Sequence, residues 1–198
     1  CTTNNGYYGG IDPSFRWGMG EDVAVYGMLR DMYHPECFDH PSHFRSLLYD
    51  YYWCFDGSDG YGVHTNSGIM NKIFSTLVDG GLQELMAPTH YTVKGTKYSK
   101  GIGLLNALNL IFATYSDLAP ASQFPDVAVA METQCQLLMT GDRYVPFIND
   151  QKTMAVGPMK MHHCRKAIAI IKRAYLYDEP MDIAQCYDYC DWTDTVCT

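Results

Sequence analysis

Asp59 and His64 form a carboxylate and imidazole pair directly ahead of a well-marked helix. A carboxylate that accepts one ring N–H of an imidazole fixes its tautomer, favours its cation and leaves the far nitrogen free to donate. Such a donor is what a developing oxyanion calls for. The helix that must position the pair is legible: Asn66 or Ser67 can cap it, Ile69, Ile73 and Leu77 fall four apart, and Gly80-Gly81 stops it. His64 is therefore expected on a loop at the mouth of a helix over 66–79.

The longer run Asp59-x-x-Gly62-Val63-His64-Thr65-Asn66-Ser67-Gly68-Ile69-x-Asn71-Lys72 resembles the active-site histidine segment of the thermolysin-like zinc metalloproteases. Upstream, Trp17-Gly18-Met19-Gly20-Glu21-Asp22-Val23 resembles that family's calcium-binding and substrate-pocket segment, and Gly27-Met28-Leu29-Arg30 follows in register. The resemblance implies that His64 with Asp59 serves the oxyanion, that Leu29 lines the S1′ pocket, and that Arg30 holds a substrate backbone carbonyl. For Glu21 and Asp22 it implies a calcium site, reduced because Arg16 and Gly18 stand where acidic ligands are expected. Pro35 and Asp39-His40-Pro41-Ser42-His43-Phe44 resemble the family's proline-rich loop on the substrate side. The likeness runs from about residue 14 to 175 and is specific over its first half.

Zinc hydrolysis in this family needs an H-E-x-x-H helix with two ligands and a general base, then a glutamate ligand nearby. No H-E-x-x-H occurs in the 198 residues, and His162 and His163 are adjacent instead of four apart. The chain is thus expected to begin just downstream of a zinc site, with zinc supplied by a separate amino-terminal chain and no peptidase activity of its own. The competing expectation is a catalytically silent relative, an extracellular protein of assembly or binding in which the old cleft has become a docking groove. His34, Glu36, Cys37, Asp39, His40 and His43 gather metal-ligating types, but their spacing fits no standard zinc pattern.

Eight cysteines, at 1, 37, 54, 135, 164, 186, 190 and 197, predict up to four disulfides and an oxidising compartment, hence a secreted protein. Cys186-x-x-x-Cys190 with Cys197 lacks a neighbouring histidine and reads poorly as a zinc site. Net charge is −8, which argues against non-specific nucleic-acid binding, since the sequence shows no basic stripe to meet phosphates. No run of eighteen apolar residues is present, so no membrane span is expected.

Hydrophobic residues make up 47%, ample for one core. Five helices are predicted: 41–52, 66–79, 99–115 (with Ile102, Leu105, Leu108, Ile111 and Phe112 on its apolar face), one opening at 122–125 and ending at Gly141, and 159–177. Strand signals are weak, with Tyr91 to Val93 the only candidate. The expectation is a mainly α protein, an orthogonal bundle of about five helices with long irregular loops, over residues 1–180, followed by a Cys-rich tail at 181–198.

Overall fold

Ile69, Ile73 and Leu77 repeat every fourth residue and are wholly buried in the computed structural model. It describes residues 17–20, 28–46, 59–81, 100–141, 147–149, 152–154 and 159–178; for 59–61 and the segments at 147–149 and 152–154 only the backbone is described. The chain is mainly α. Described elements in order are β1 (Gly18–Met19), β2 (Arg30–Asp31), a 3-10 turn (Pro35–Phe38), α1 (Asp59–Asn66), α2 (Gly68–Asp79), α3 (Leu104–Tyr115), α4 (Phe124–Thr140), β3 (Phe147–Asn149), β4 (Lys152–Met154) and α5 (Met161–Arg173). β1 pairs antiparallel with β2, and β3 with β4.

Helix α2 lies at the centre, in contact with α1, α3, α5 and the 3-10 turn. Its apolar face joins Ala107, Leu110 and Ala113 of α3, Met131 and Leu138 of α4, and Ala167, Ile170 and Ile171 of α5 in one core. Burying each Ile or Leu of that face contributes about 1.5–3 kcal/mol. The last carbonyls of a helix need donors, and α2 finds them in the following chain: Ile102 donates its N–H to Leu77 (2.6 Å) and Gly103 to Val78 (3.2 Å). A Cβ on Gly101 would stand 2.2 Å from the Val78 oxygen, so only glycine allows this approach.

That contact shortens the helix predicted over 99–115. Residues 100–103 cap α2 instead, and Gly103 at φ 82° precedes the first turn of α3. The apolar face of α3 also differs from expectation. Ala107, Leu110 and Ala113 are buried, whereas Leu105 and Phe112 are exposed, because small residues let the helices come close. The helix predicted over 41–52 does not form in its described part, 41–46: the Phe44 N–H donates to Ala174 at the end of α5 (2.9 Å) instead of closing a turn of its own. Residues 47–52, the strand candidate at 91–93 and the tail at 181–198 lie outside the described residues.

The fourth helix follows its signals closely. Asp126 accepts the Gln123 N–H at 2.8 Å, Pro125 sits in the first turn, and Gly141 ends the helix at φ 79°. The predicted 159–177 helix is α5 with a four-residue turn, closed where Tyr175 adopts φ 57°. Cys135 of α4 and Cys164 of α5 form a disulfide, their Cα atoms 5.6 Å apart, and Cys37 is disulfide-bonded as well. Tyr177 donates to Glu132 at 2.6 Å, and burial, reinforced by this bond, pushes the phenol pKa upward.

Cys135 and Cys164 are 29 residues apart, and closing a loop of that size restricts the unfolded chain by about 3.5 kcal/mol. The double variant Cys135→Ala/Cys164→Ala is expected to lose stability on that scale in urea titrations. Gly68 opens α2 against the proline loop, where a Cβ would meet His40 Cβ and the Pro41 oxygen, each at 2.7 Å. Gly68→Ala is expected to destabilise by about 1–3 kcal/mol in the same measurement, because neither neighbour is the end of a flexible side chain.

Candidate functional site

The β1–β2 ladder delivers Leu29 and Arg30 to one edge of the fold. Leu29 donates its N–H to Met19 (2.8 Å), Met32 to Trp17 (3.0 Å), and Met19 faces Arg30 in the register. Trp17 anchors this ladder, buried against Phe74 and donating its indole N–H to Asp79 at 2.6 Å. Leu29 lies over Gly20, its Cγ 3.0 Å from where a Cβ would be, and half its surface stays exposed.

Beyond Arg30 the chain turns back under control of Asp31. Its carboxylate is buried and accepts the N–H groups of Tyr33 (2.7 Å) and His34 (2.9 Å), an Asx-turn. Two polar residues of α2 hold this turn from beneath: Lys72 donates to the Tyr33 carbonyl at 2.6 Å and Ser75 to that of Met32 at 2.8 Å. The Lys72 ammonium also lies 4.2 Å from the centre of the Tyr33 ring, a cation–π contact that lowers the penalty of its burial.

Arg30 then reaches the histidine segment. Its Nη1 donates to the His64 carbonyl at 2.8 Å and to the Ser67 hydroxyl at 2.6 Å, while Ser67 itself donates to the His64 carbonyl at 2.6 Å. Both Nη1 hydrogens are engaged by these bonds. A guanidinium carries five donors, so Nη2 and Nε retain three for an incoming acceptor. The sequence points to Ser67 as a helix cap; in the fold its hydroxyl makes no cap bond and joins Arg30 to His64 instead.

His64 does not stand on a loop, as predicted, but within α1, with its side chain exposed. Gly62, at φ 73°, gives α1 an irregular path between Asp59 and His64. The Asp59 side chain lies outside the described residues, as do Glu21 and Asp22. A cavity of about 600 Å³ opens beside this segment, lined by Val63, Asn66, Ser67, Tyr115 and Phe124 among others.

Among the described residues no group of three His, Cys, Asp or Glu side chains could hold a metal ion. The cluster at 34–43 is taken up in packing: His34 lies edge-on to Tyr33 (4.9 Å), His43 to Tyr175 (5.7 Å), and Cys37 is in a disulfide. The described residues therefore do not provide a zinc site.

Burial lowers the pKa of His43 despite Glu36, which acts to raise it, and Nδ1 is buried without a hydrogen bond. Below the ordinary value of 6.5 the unfolded chain takes up a proton that the folded chain resists. Stability is therefore expected to fall on acidification through that range. In His43→Phe the slope should flatten in part, read from urea midpoints at about pH 7.5 and about pH 5.5. His163, lowered in the same direction, contributes a further part of the slope.

The family described as thermolysin metallopeptidase, alpha-helical domain, matches residues 4–148. A bacillolysin from Brevibacillus brevis is 30% identical over 149 residues, 72% of this chain and 25% of that protein. An extracellular elastase from Staphylococcus epidermidis is 48% identical over 58 residues, 27% of this chain and 10% of that protein. A thermolysin from Alicyclobacillus acidocaldarius subsp. acidocaldarius is 33% identical over 131 residues, 63% of this chain and 20% of that protein. The chain thus spans a quarter or less of the length of these relatives. With its helices packed round α2 and Arg30 fastened to the histidine segment, the chain belongs to the alpha-helical domain family of the thermolysin metallopeptidases.

Proposed function

We propose that this chain is the carboxyl-terminal lobe of a secreted thermolysin-like metalloendopeptidase, in which His64 donates to the oxyanion and Arg30 to a substrate backbone carbonyl. The observation that carries this reading is the pair of bonds from Arg30 Nη1 to His64 and Ser67. They couple the two side chains through one backbone segment, so the spacing between a bound carbonyl and the oxyanion would be set by the fold. Leu29, exposed next to Arg30, is suited to an apolar side chain on the primed side. Asp59 would orient the imidazole, and Glu21 with Asp22 would provide oxygen ligands for a reduced calcium site.

Zinc and the general base belong, in this reading, to a separate amino-terminal segment or chain carrying H-E-x-x-H, because the described residues of this chain offer no such group. The disulfides support secretion, and no described helix is long and apolar enough to cross a membrane. The alternative is a silent relative used outside the cell for assembly or binding.

Intact mass of the native, non-reduced protein, with zinc analysis and hydrolysis of a quenched peptide, separates the two. A second chain with about one zinc per complex and peptidase activity is the expected result. In that complex His64→Ala should lower kcat by about 10²–10³, the scale of removing one oxyanion donor, while Arg30→Ala should act mainly on KM. A metal-free species of this chain alone, without peptidase activity, overturns the enzyme reading.

A further inference from the structure

The family match ends at residue 148, and α5 lies beyond it. Five of the 14 Lys and Arg residues of the chain, Lys160, Arg165, Lys166, Lys172 and Arg173, fall on α5 or immediately before it, together with His162 and His163. Not one Asp or Glu occurs between 160 and 177, although the net charge of the whole chain is −8. The expectation that the chain lacks a basic stripe is therefore corrected by α5.

Apolar positions of the helix, Cys164, Ala167, Ile170 and Ile171, face the core, which turns Lys160, His162, Arg165 and Lys172 to solvent. Arg165 and Lys172 are seven residues apart, two turns, so they share one side at a separation of about 10 Å along the axis. Among the described residues, Lys160, Arg165, Lys172 and Arg173 meet no carboxylate at salt-bridge distance. Of the acids that follow the helix, Asp178 is taken by Arg45, and Glu179 and Asp182 lie outside the described residues. Lys166 donates to the Lys100 (2.7 Å) and Gly101 (3.3 Å) carbonyls, which leaves its charge unneutralised. Burial lowers the pKa of His163, and the neighbouring His162, Lys166 and Lys160 lower it further.

We infer that the exposed face of α5 is a docking surface for a linear sulfated polysaccharide. A row of cations that meets no carboxylate among the described residues complements a thin polyanion lying along the helix. A nucleic-acid duplex presents two phosphate rows, of which a single row of cations along one helix would meet one. The disulfides fit an oxidising compartment, where sulfated glycans are an accessible polyanion. The separation of Arg165 from Lys172 is comparable to the repeat of a disaccharide. This surface is independent of the peptidase reading.

Binding of the full chain to dextran sulfate, uncharged dextran and a DNA duplex, measured by calorimetry across a salt series, tests the inference. Dextran sulfate is expected to bind with an affinity that falls steeply as salt rises, and uncharged dextran not at all. Arg165→Gln/Lys172→Gln, both exposed and so unchanged in circular dichroism, should weaken dextran sulfate by about tenfold or more through the loss of two ionic contacts. No binding at physiological salt, an unaltered double variant, equal binding of uncharged dextran, or tighter binding of the duplex each overturns the proposal.

Discussion

A helix buried on most of its circumference loses stability for each polar group it leaves unpaired, and α2 pairs its Lys72 and Ser75 with backbone carbonyls, while Thr76 Oγ1 stays without a hydrogen bond among the described residues. Lys72, Ser75 and Thr76 are as buried as the Ile and Leu beside them. Burying an ammonium without compensation would cost several kcal/mol, so the carbonyls of Met32 and Tyr33 and the ring of Tyr33 are drawn onto the helix. This demand fixes the 31–34 turn, and the turn fixes the direction in which Arg30 leaves β2. Hydrophobic burial supplies most of the stability, while the polar residues of α2 decide where the candidate site is built.

The same segment is held at its other end by Trp17, whose indole bonds to Asp79 in the last turn of α2. Arg30 is thus suspended between two attachments to one helix and bonds directly to the stretch that leads into it, at His64 and Ser67. Short attachments to a rigid element leave few soft torsions between the two side chains. Glycine at 62, 68 and 101 permits the approaches that this arrangement needs, one through a positive φ and two through contacts with no room for a Cβ.

Much of this was legible in the sequence, and the failures have physical causes. Long periodic segments such as 68–79 and 124–140 announced themselves through apolar spacing and end signals. Helix α1 did not, because Gly60 and Gly62 in an eight-residue helix read as loop. Two-residue strands carry no period to detect. The buried face of α3 was misassigned because Leu and Phe outweigh Ala in any count of hydrophobicity, whereas close helix packing selects the small residues. At the site, His64 and Arg30 were visible through motif and register, but the role of Ser67 was hidden, since a serine before a helix looks like a cap until its partner across the fold is known. The cationic face of α5 escaped notice because net charge averages over a chain whose acids and bases are unevenly placed.

That unevenness follows from the division of each helix into two faces. The core dictates the inner face of α5, where Cys164, Ala167, Ile170 and Ile171 must fit against α2 and α4, and a change of one methylene is felt there. Its outer face is free of that constraint on composition, so five cations and two histidines can accumulate on and beside the helix without disturbing its buried side. Mutual repulsion among exposed charges in water is modest at each pair, a fraction of a kcal/mol, and is screened by salt. Such a face can therefore acquire a binding property while the inner face keeps the fold, whatever the activity at Arg30 and His64.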